Sequence, residues 1–81
     1  MNHQPLETPH IKKGKYQHFK GMLYEVLDVV HHSETQEALV IYRALYGEHG
    51  LWVRPFHMFV ETIERDGEQI PRFKFLEEFI D

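Results

Sequence analysis

Histidine is the first residue type in this chain that could do chemistry, because seven imidazoles stand among 81 residues and imidazole both ligates zinc, nickel and copper and titrates near neutral pH. Their spacing argues against a shared ion. His31 and His32 are neighbours in a segment that reads as a strand, so their rings leave opposite faces. No His-x-His pair exists, and His3 and His10 fall in a polar N-terminal stretch. The sequence therefore predicts neither a metal site nor a cofactor. His18, His49 and His57 stay open as the centre of a small-ligand or enzyme site, which requires a concave pocket around one of them.

Nucleophilic catalysis has little to work with. Cysteine is absent and Ser33 is the only serine. His32-Ser33-Glu34 holds the residue types of a hydrolytic triad, but contiguous residues cannot form the nucleophile, base and orienter line that the mechanism needs. Ser33 and Thr35 read instead as turn residues that bond nearby backbone. Gly47 and Gly50 lack the further glycine and lysine of a phosphate loop. Glu61 and Glu64 flank a turn and suggest no paired-carboxylate cleft.

Binding chemistry is better represented. Between Tyr42 and Phe59 the chain gathers Tyr42, Arg43, Tyr46, Trp52, Arg54, Pro55 and Phe56, and Trp, Tyr and Arg dominate binding hot spots. Alternation places Tyr42 and Tyr46 opposite Arg43 on one strand, and Trp52, Arg54 and Phe56 opposite Leu51 and Val53 on the next. With Leu51 and Val53 read as inward-facing, Trp52 and Arg54 face outward. Tyr46, Trp52, Arg54, Pro55 and Arg43 are thus the candidate contacts for a protein or peptide. The alternative has Trp52 packed on the N-terminal arm or Phe79, and Arg54 stacked on a ring or paired with a glutamate. A second class of partner, nucleic acid, would use Lys12, Lys13, Lys15, Lys20 and Arg72, with Tyr16 or Phe19 stacking on bases. The net charge of −4 counts against that reading.

These side chains need a scaffold, and 81 residues allow one hydrophobic core, since independent domains need roughly 50 to 100 residues or more. Without cysteine the core must rest on packing, and six Phe, four Tyr and one Trp supply it. Residues 1–13, with Pro5 and Pro9, read as a flexible tail or loosely attached arm, and residues 14–81 as a single domain. Leu23 to His32 and Ala38 to Tyr46 are β-branched and aliphatic strands joined by a polar turn. Lys15 to Lys20 reads as a shorter strand ending at Gly21. Leu51 to Arg54 is a strand that must end or lie at an edge at Pro55. Phe56 to Phe59 suits one helical turn. Asp66-Gly67 is a tight-turn signal joining Val60–Glu64 to Gln69–Leu76, and Leu76 to Asp81 reads as a helical turn. The sum is a mainly β fold, expected as a small SH3-like, partly open barrel of five or six short antiparallel strands.

The blocks Gly14-Lys15-Tyr16-Gln17-His18-Phe19-Lys20-Gly21, Tyr24-Glu25-Val26, His32-Ser33-Glu34-Thr35, Tyr42-Arg43-Ala44-Leu45-Tyr46-Gly47, Leu51-Trp52-Val53-Arg54-Pro55, Met58-Phe59 and Pro71-Arg72-Phe73 resemble, in order, a family of short bacterial proteins catalogued only as a domain of unknown function. The resemblance runs from about Gly14 to Phe75. It implies a bacterial cytoplasmic protein with a small β-barrel and supplies no activity. The family pattern implies a glycine after Glu-Thr in the first hairpin turn, where this chain has Gln36. That substitution predicts either a different turn type or about 1 kcal/mol of local strain.

No apolar run approaches the ~20 residues that span a bilayer, and Met1 to His10 lacks the pattern of a signal peptide. The expectation is therefore a cytoplasmic, non-enzymatic binding module with no membrane role, acting as a monomer or weak homodimer. Nucleic-acid binding and a histidine-centred site are its alternatives.

Overall fold

The computed structural model describes residues 7–79. Residues 1–6 of the expected tail and residues 80–81 of the expected final turn lie outside them. The described chain is built from seven strands and one helical turn: β1 (Gly14–His18), β2 (Leu23–His31), β3 (Ala38–Ala44), β4 (Leu51–Pro55), α1 (Phe56–Phe59), β5 (Thr62–Arg65), β6 (Glu68–Pro71) and β7 (Phe73–Glu77). Five of the strands form an antiparallel sheet in the order β4-β3-β2-β1-β7, and β5 and β6 form a separate hairpin.

The fold is mainly β, as the sequence predicts, but the sheet is open, because β4 and β7 are edges that do not pair with each other. The strands number seven, against the expected five or six. Gln69–Leu76 is not one strand: the chain bends at Arg72, whose backbone N–H donates to the Glu61 carbonyl at 3.0 Å and whose carbonyl accepts from Phe19 at 2.9 Å. Arg72 is thus bonded to the hairpin on one side and to the β1–β2 turn on the other, and the strand splits there into β6 and β7. Leu76 and Glu77 extend β7 instead of beginning a helical turn.

Local chemistry explains the turns. Asp66 and Gly67 both take positive φ, 52° and 82°, the requirement of the type I′ turn that suits a two-residue hairpin. Gln36 has φ 64°, so the turn keeps the left-handed conformation that glycine adopts cheaply and the side chain carries the strain. His32 holds this turn by accepting the N–H groups of Glu34 and Thr35 at its Nδ1, at 3.1 and 3.3 Å. Thr35 Oγ1 accepts the Glu37 N–H at 3.2 Å. Gly14, at φ 142°, opens β1 where no side chain fits: a Cβ there would run into the Glu77 carbonyl and approach Glu78 Cα to 2.9 Å.

The core lies on one face of the sheet and is largely aromatic: Tyr16, Tyr24, Val26, Val40, Tyr42, Ala44, Phe59 and Phe73 are buried. Phe73 is its hub. Its ring stacks on Phe59 of α1 at 4.1 Å and 5°, and meets Tyr24, Tyr42 and His18 at 5.6, 5.8 and 4.9 Å. The single turn α1 thus places Phe59 over the middle of the sheet. The described part of the N-terminal arm lies along the sheet: Ile11 packs on the core, Lys12 accepts the Tyr16 hydroxyl proton at its carbonyl at 2.7 Å, and Thr8 Oγ1 lies 2.9 Å from His31 Nε2.

Candidate functional site

The β3–β4 register decides which way the candidate side chains point. Trp52 stands opposite Tyr42 and Arg54 opposite Val40, whereas Leu51, Val53 and Pro55 stand opposite Arg43, Ile41 and Leu39. Directly opposed residues share a face, and Tyr42 and Val40 are buried in the core. Trp52 and Arg54 therefore lie on the core face, and Leu51 and Val53 on the outer one, the reverse of the sequence expectation. The physical reason is that β4 carries large apolar groups on both parities, so its own alternation cannot choose a face and the pairing with β3 does.

Arg54 is drawn inward. Its guanidinium carbon sits 5.5 Å from the centre of the Phe73 ring, the cation–aromatic arrangement held open as the alternative above. Its buried Nε finds no hydrogen-bond partner among the described residues, and no carboxylate pairs with it there. Trp52 lies at the rim of the same face with 59% of its surface exposed, its indole edge turned back towards Gly50. Tyr46 is also exposed. Its ring packs on Tyr24 at 5.6 Å, and the two hydroxyls are 2.8 Å apart. Arg43 belongs to the other face, where it donates from Nη1 to the His49 carbonyl at 3.1 Å and braces the β3–β4 loop. Tyr46, Trp52 and Arg54 thus share a face from which Arg43 and Pro55 are excluded.

The edge on which they stand is unlike its counterpart. Leu51, Trp52 and Val53 are consecutive and exposed by 52, 59 and 54%, so β4 presents apolar side chains on both sides of an unpaired backbone. The β7 edge carries Lys74 and Glu77 around a single exposed apolar residue, Leu76, and charges so placed discourage edge pairing. The Ala44 N–H donates to the Gly50 carbonyl at 3.0 Å, and antiparallel alternation then turns the backbone groups of residues 52 and 54 towards β3 and those of Leu51 and Val53 outward. Pro55 occupies an outward position, where its missing N–H costs the sheet nothing and ends the run of donors.

A titratable ring lies near Arg54. His18 faces the same interior, its ring edge-on to Phe73, and its Nδ1 accepts the Lys20 N–H at 3.1 Å. Burial and then the charges of Arg54, Arg72 and Lys20 hold His18 below its ordinary pKa. Tyr24 is pushed up to about 12, first by burial and then by its bond to Tyr46, and burial raises Tyr16.

The cations assigned to nucleic acid are scattered. Lys13 pairs with Asp28 at 3.7 Å, Lys15 with Glu77 at 3.2 Å and Arg72 with Glu61 at 2.7 Å. Lys12 lies over Phe75 and Lys20 over Phe19. Of the three histidines, His18 borders a concavity of about 430 Å³ lined also by Phe19, Ile70 and Pro71. His49 sits in the β3–β4 loop and His57 on α1, both exposed, and neither is among the residues lining that concavity. Among the described residues no three His, Asp or Glu side chains gather as metal ligands. Sequence reasoning overlooked His18 and Phe73 as neighbours of Arg54. Phe73 alternates with Lys74 and Phe75, which marks it as a core residue, but nothing in the sequence brings β4 over β7.

No curated protein matches the chain. A crystal structure of a DUF1653 protein from Bordetella bronchiseptica superposes with a TM-score of 0.77 at 29% identity, covering 88% of this chain and 94% of that one. The family model described as Protein of unknown function (DUF1653) matches residues 14–75. Those residues hold every strand but the last two positions of β7, and the chain belongs to the DUF1653 family.

Proposed function

We propose that this chain is a non-enzymatic binding module of the bacterial cytoplasm that takes an extended segment of a partner protein along β4. The observation that carries the reading is the contrast between the two sheet edges: three consecutive exposed apolar residues on β4, against one, Leu76, set between the charges of Lys74 and Glu77 on β7. An added strand would bond the outward backbone groups of Leu51 and Val53, each such bond adding about 0.5–1.5 kcal/mol. Its side chains would alternate between Leu51 and Val53 on the outer face and Trp52, with Tyr46 beyond it, on the inner one. SH3-like barrels also hold extended peptides on aromatic surfaces, which is an analogy at the level of fold.

The test compares partner capture by the wild-type protein with capture by Trp52→Ala and Val53→Lys, each checked for its fold by circular dichroism. For any captured protein, amide exchange is then measured at Leu51 and Val53. Loss of the partner in both variants, with slowed exchange at those two amides in the wild-type complex, supports the reading. An unchanged partner set from folded variants refutes it. Slowed exchange at Leu51 and Val53 in the protein alone at high concentration would instead assign the edge to a second copy.

A further inference from the structure

Resting on the reading of β4 as a docking edge, we propose that the segment it accepts is acidic, presenting a side-chain carboxylate to Arg54 on the inner face of the sheet. Arg54 is a partly buried cation whose charge no carboxylate among the described residues balances. Arg72, by contrast, is matched: Glu61 Oε1 lies 2.9 Å from its Nε and 2.7 Å from its Nη2. The difference has a physical meaning. A guanidinium removed from water needs a counter-charge or full hydrogen bonding, and Arg54 has only the face of Phe73 and an unbonded Nε.

Charge and position agree. Arg54 and His18 both lie against the Phe73 ring, and Arg54 supplies the inner side of β4 with an unmatched positive charge although the chain carries −4 overall. Arg54 and Trp52 are two residues apart on one face. On a partner strand the residues opposite them are also two apart and on that same face. The inner side of β4 therefore reads a spaced pair, a carboxylate opposite Arg54 and a large apolar group opposite Trp52. The intervening residue would lie against Val53 and Leu51 on the outer face. The guanidinium fork suits a carboxylate better than a lysine would at that position.

The experiment is a selection of displayed random peptides of about seven residues, long enough for one strand, against the wild-type protein and against Trp52→Ala, Arg54→Gln and Arg54→Glu. Selected peptides are then made with acetylated and amidated ends, so that only side chains supply charge, and measured by calorimetry. The expected result is enrichment of Asp or Glu two positions from a large apolar residue, with binding weakened about tenfold or more when the acid becomes its amide. That discrimination should vanish in Arg54→Gln, and Arg54→Glu should select basic residues at the same position. Peptides that need Trp52 but show no acidic preference and ignore both Arg54 variants would overturn the proposal and leave the docking edge standing. Absence of any Trp52-dependent peptide would overturn both. If Arg54→Glu fails to fold over Phe73, Arg54→Gln alone decides.

Discussion

Replacing Gly14 by alanine separates two demands that the fold makes on glycine. At Gly67, φ is 82° and open space surrounds the position, so Gly67→Ala suffers only the left-handed conformation, about 1–2 kcal/mol. At Gly14, φ is 142°, and the new methyl group would also collide with the Glu77 carbonyl and crowd Glu78 Cα at 2.9 Å. Both obstacles are backbone and cannot swing aside. Relief requires β1 and β7 to part where Lys15 pairs with Glu77, beside the irregular register between Lys15 and Tyr16. Parting them loosens the edge-on contact of Tyr16 with Phe75 and the seat of Phe73. Damage on that scale resembles truncation of a core phenylalanine, about 3–5 kcal/mol. Small domains fall towards the lower end of the usual total of about 5–15 kcal/mol, so Gly14→Ala should lie near its unfolding transition in buffer while Gly67→Ala remains folded. Urea unfolding followed by circular dichroism measures both. Equal midpoints for the two variants would show that the β1–β7 junction does not hold the sheet as described.

Three further outcomes follow from the geometry. The pKa of His18 is depressed, so above its ordinary value of about 6.5 the folded state suffers no penalty from it, and stability falls as the pH drops below that value, because the unfolded chain binds the proton more readily; NMR titration should show this depression reduced in Arg54→Gln, and no change there would contradict the proximity of the two groups. Tyr24, raised to about 12, loses stability to the unfolded state as the pH climbs from about 10, and Tyr46→Phe, by removing the 2.8 Å hydroxyl contact, should lower the Tyr24 value in an alkaline absorbance titration. Gln36→Gly relieves φ 64° and should stabilise the domain by up to about 1 kcal/mol after the added chain entropy is subtracted, whereas a loss of stability in urea unfolding would mean that the Gln36 side chain contributes more than the turn conformation costs.

Much of the scaffold was legible in residue types. The aliphatic runs around Val26 to Val30 and Leu39 to Tyr42 are β2 and β3, Asp66-Gly67 makes the expected tight turn, Pro55 ends β4, and Phe56 to Phe59 is the single helical turn. Each of these rests on local preference, which the sequence states directly. The split between β6 and β7 was hidden because Arg72 is fixed by bonds to Glu61 and Phe19, residues distant in sequence. The candidate residues Tyr46, Trp52 and Arg54 were picked by type, and the facing of Trp52 and Arg54 was reversed because two apolar parities compete on a five-residue strand. Arg43 looked like a companion of Arg54 for the same reason, and the register moves it to the opposite face. The lysines near the N-terminus form a cluster only along the chain, since Lys15 pairs with Glu77 across β1 and β7 and Lys13 forms an ion pair with Asp28 of β2.

The placement of Trp52 also gives the molecule a native optical label. It is the only indole in the chain, and it stands on the rim of β4 with most of its surface in water. Its emission should be red-shifted and open to quenching by iodide in the free protein, then move to the blue and become shielded when a strand covers the rim. Occupancy of β4 can thus be followed at low concentration in the unmodified protein, with no dye attached to the surface under study.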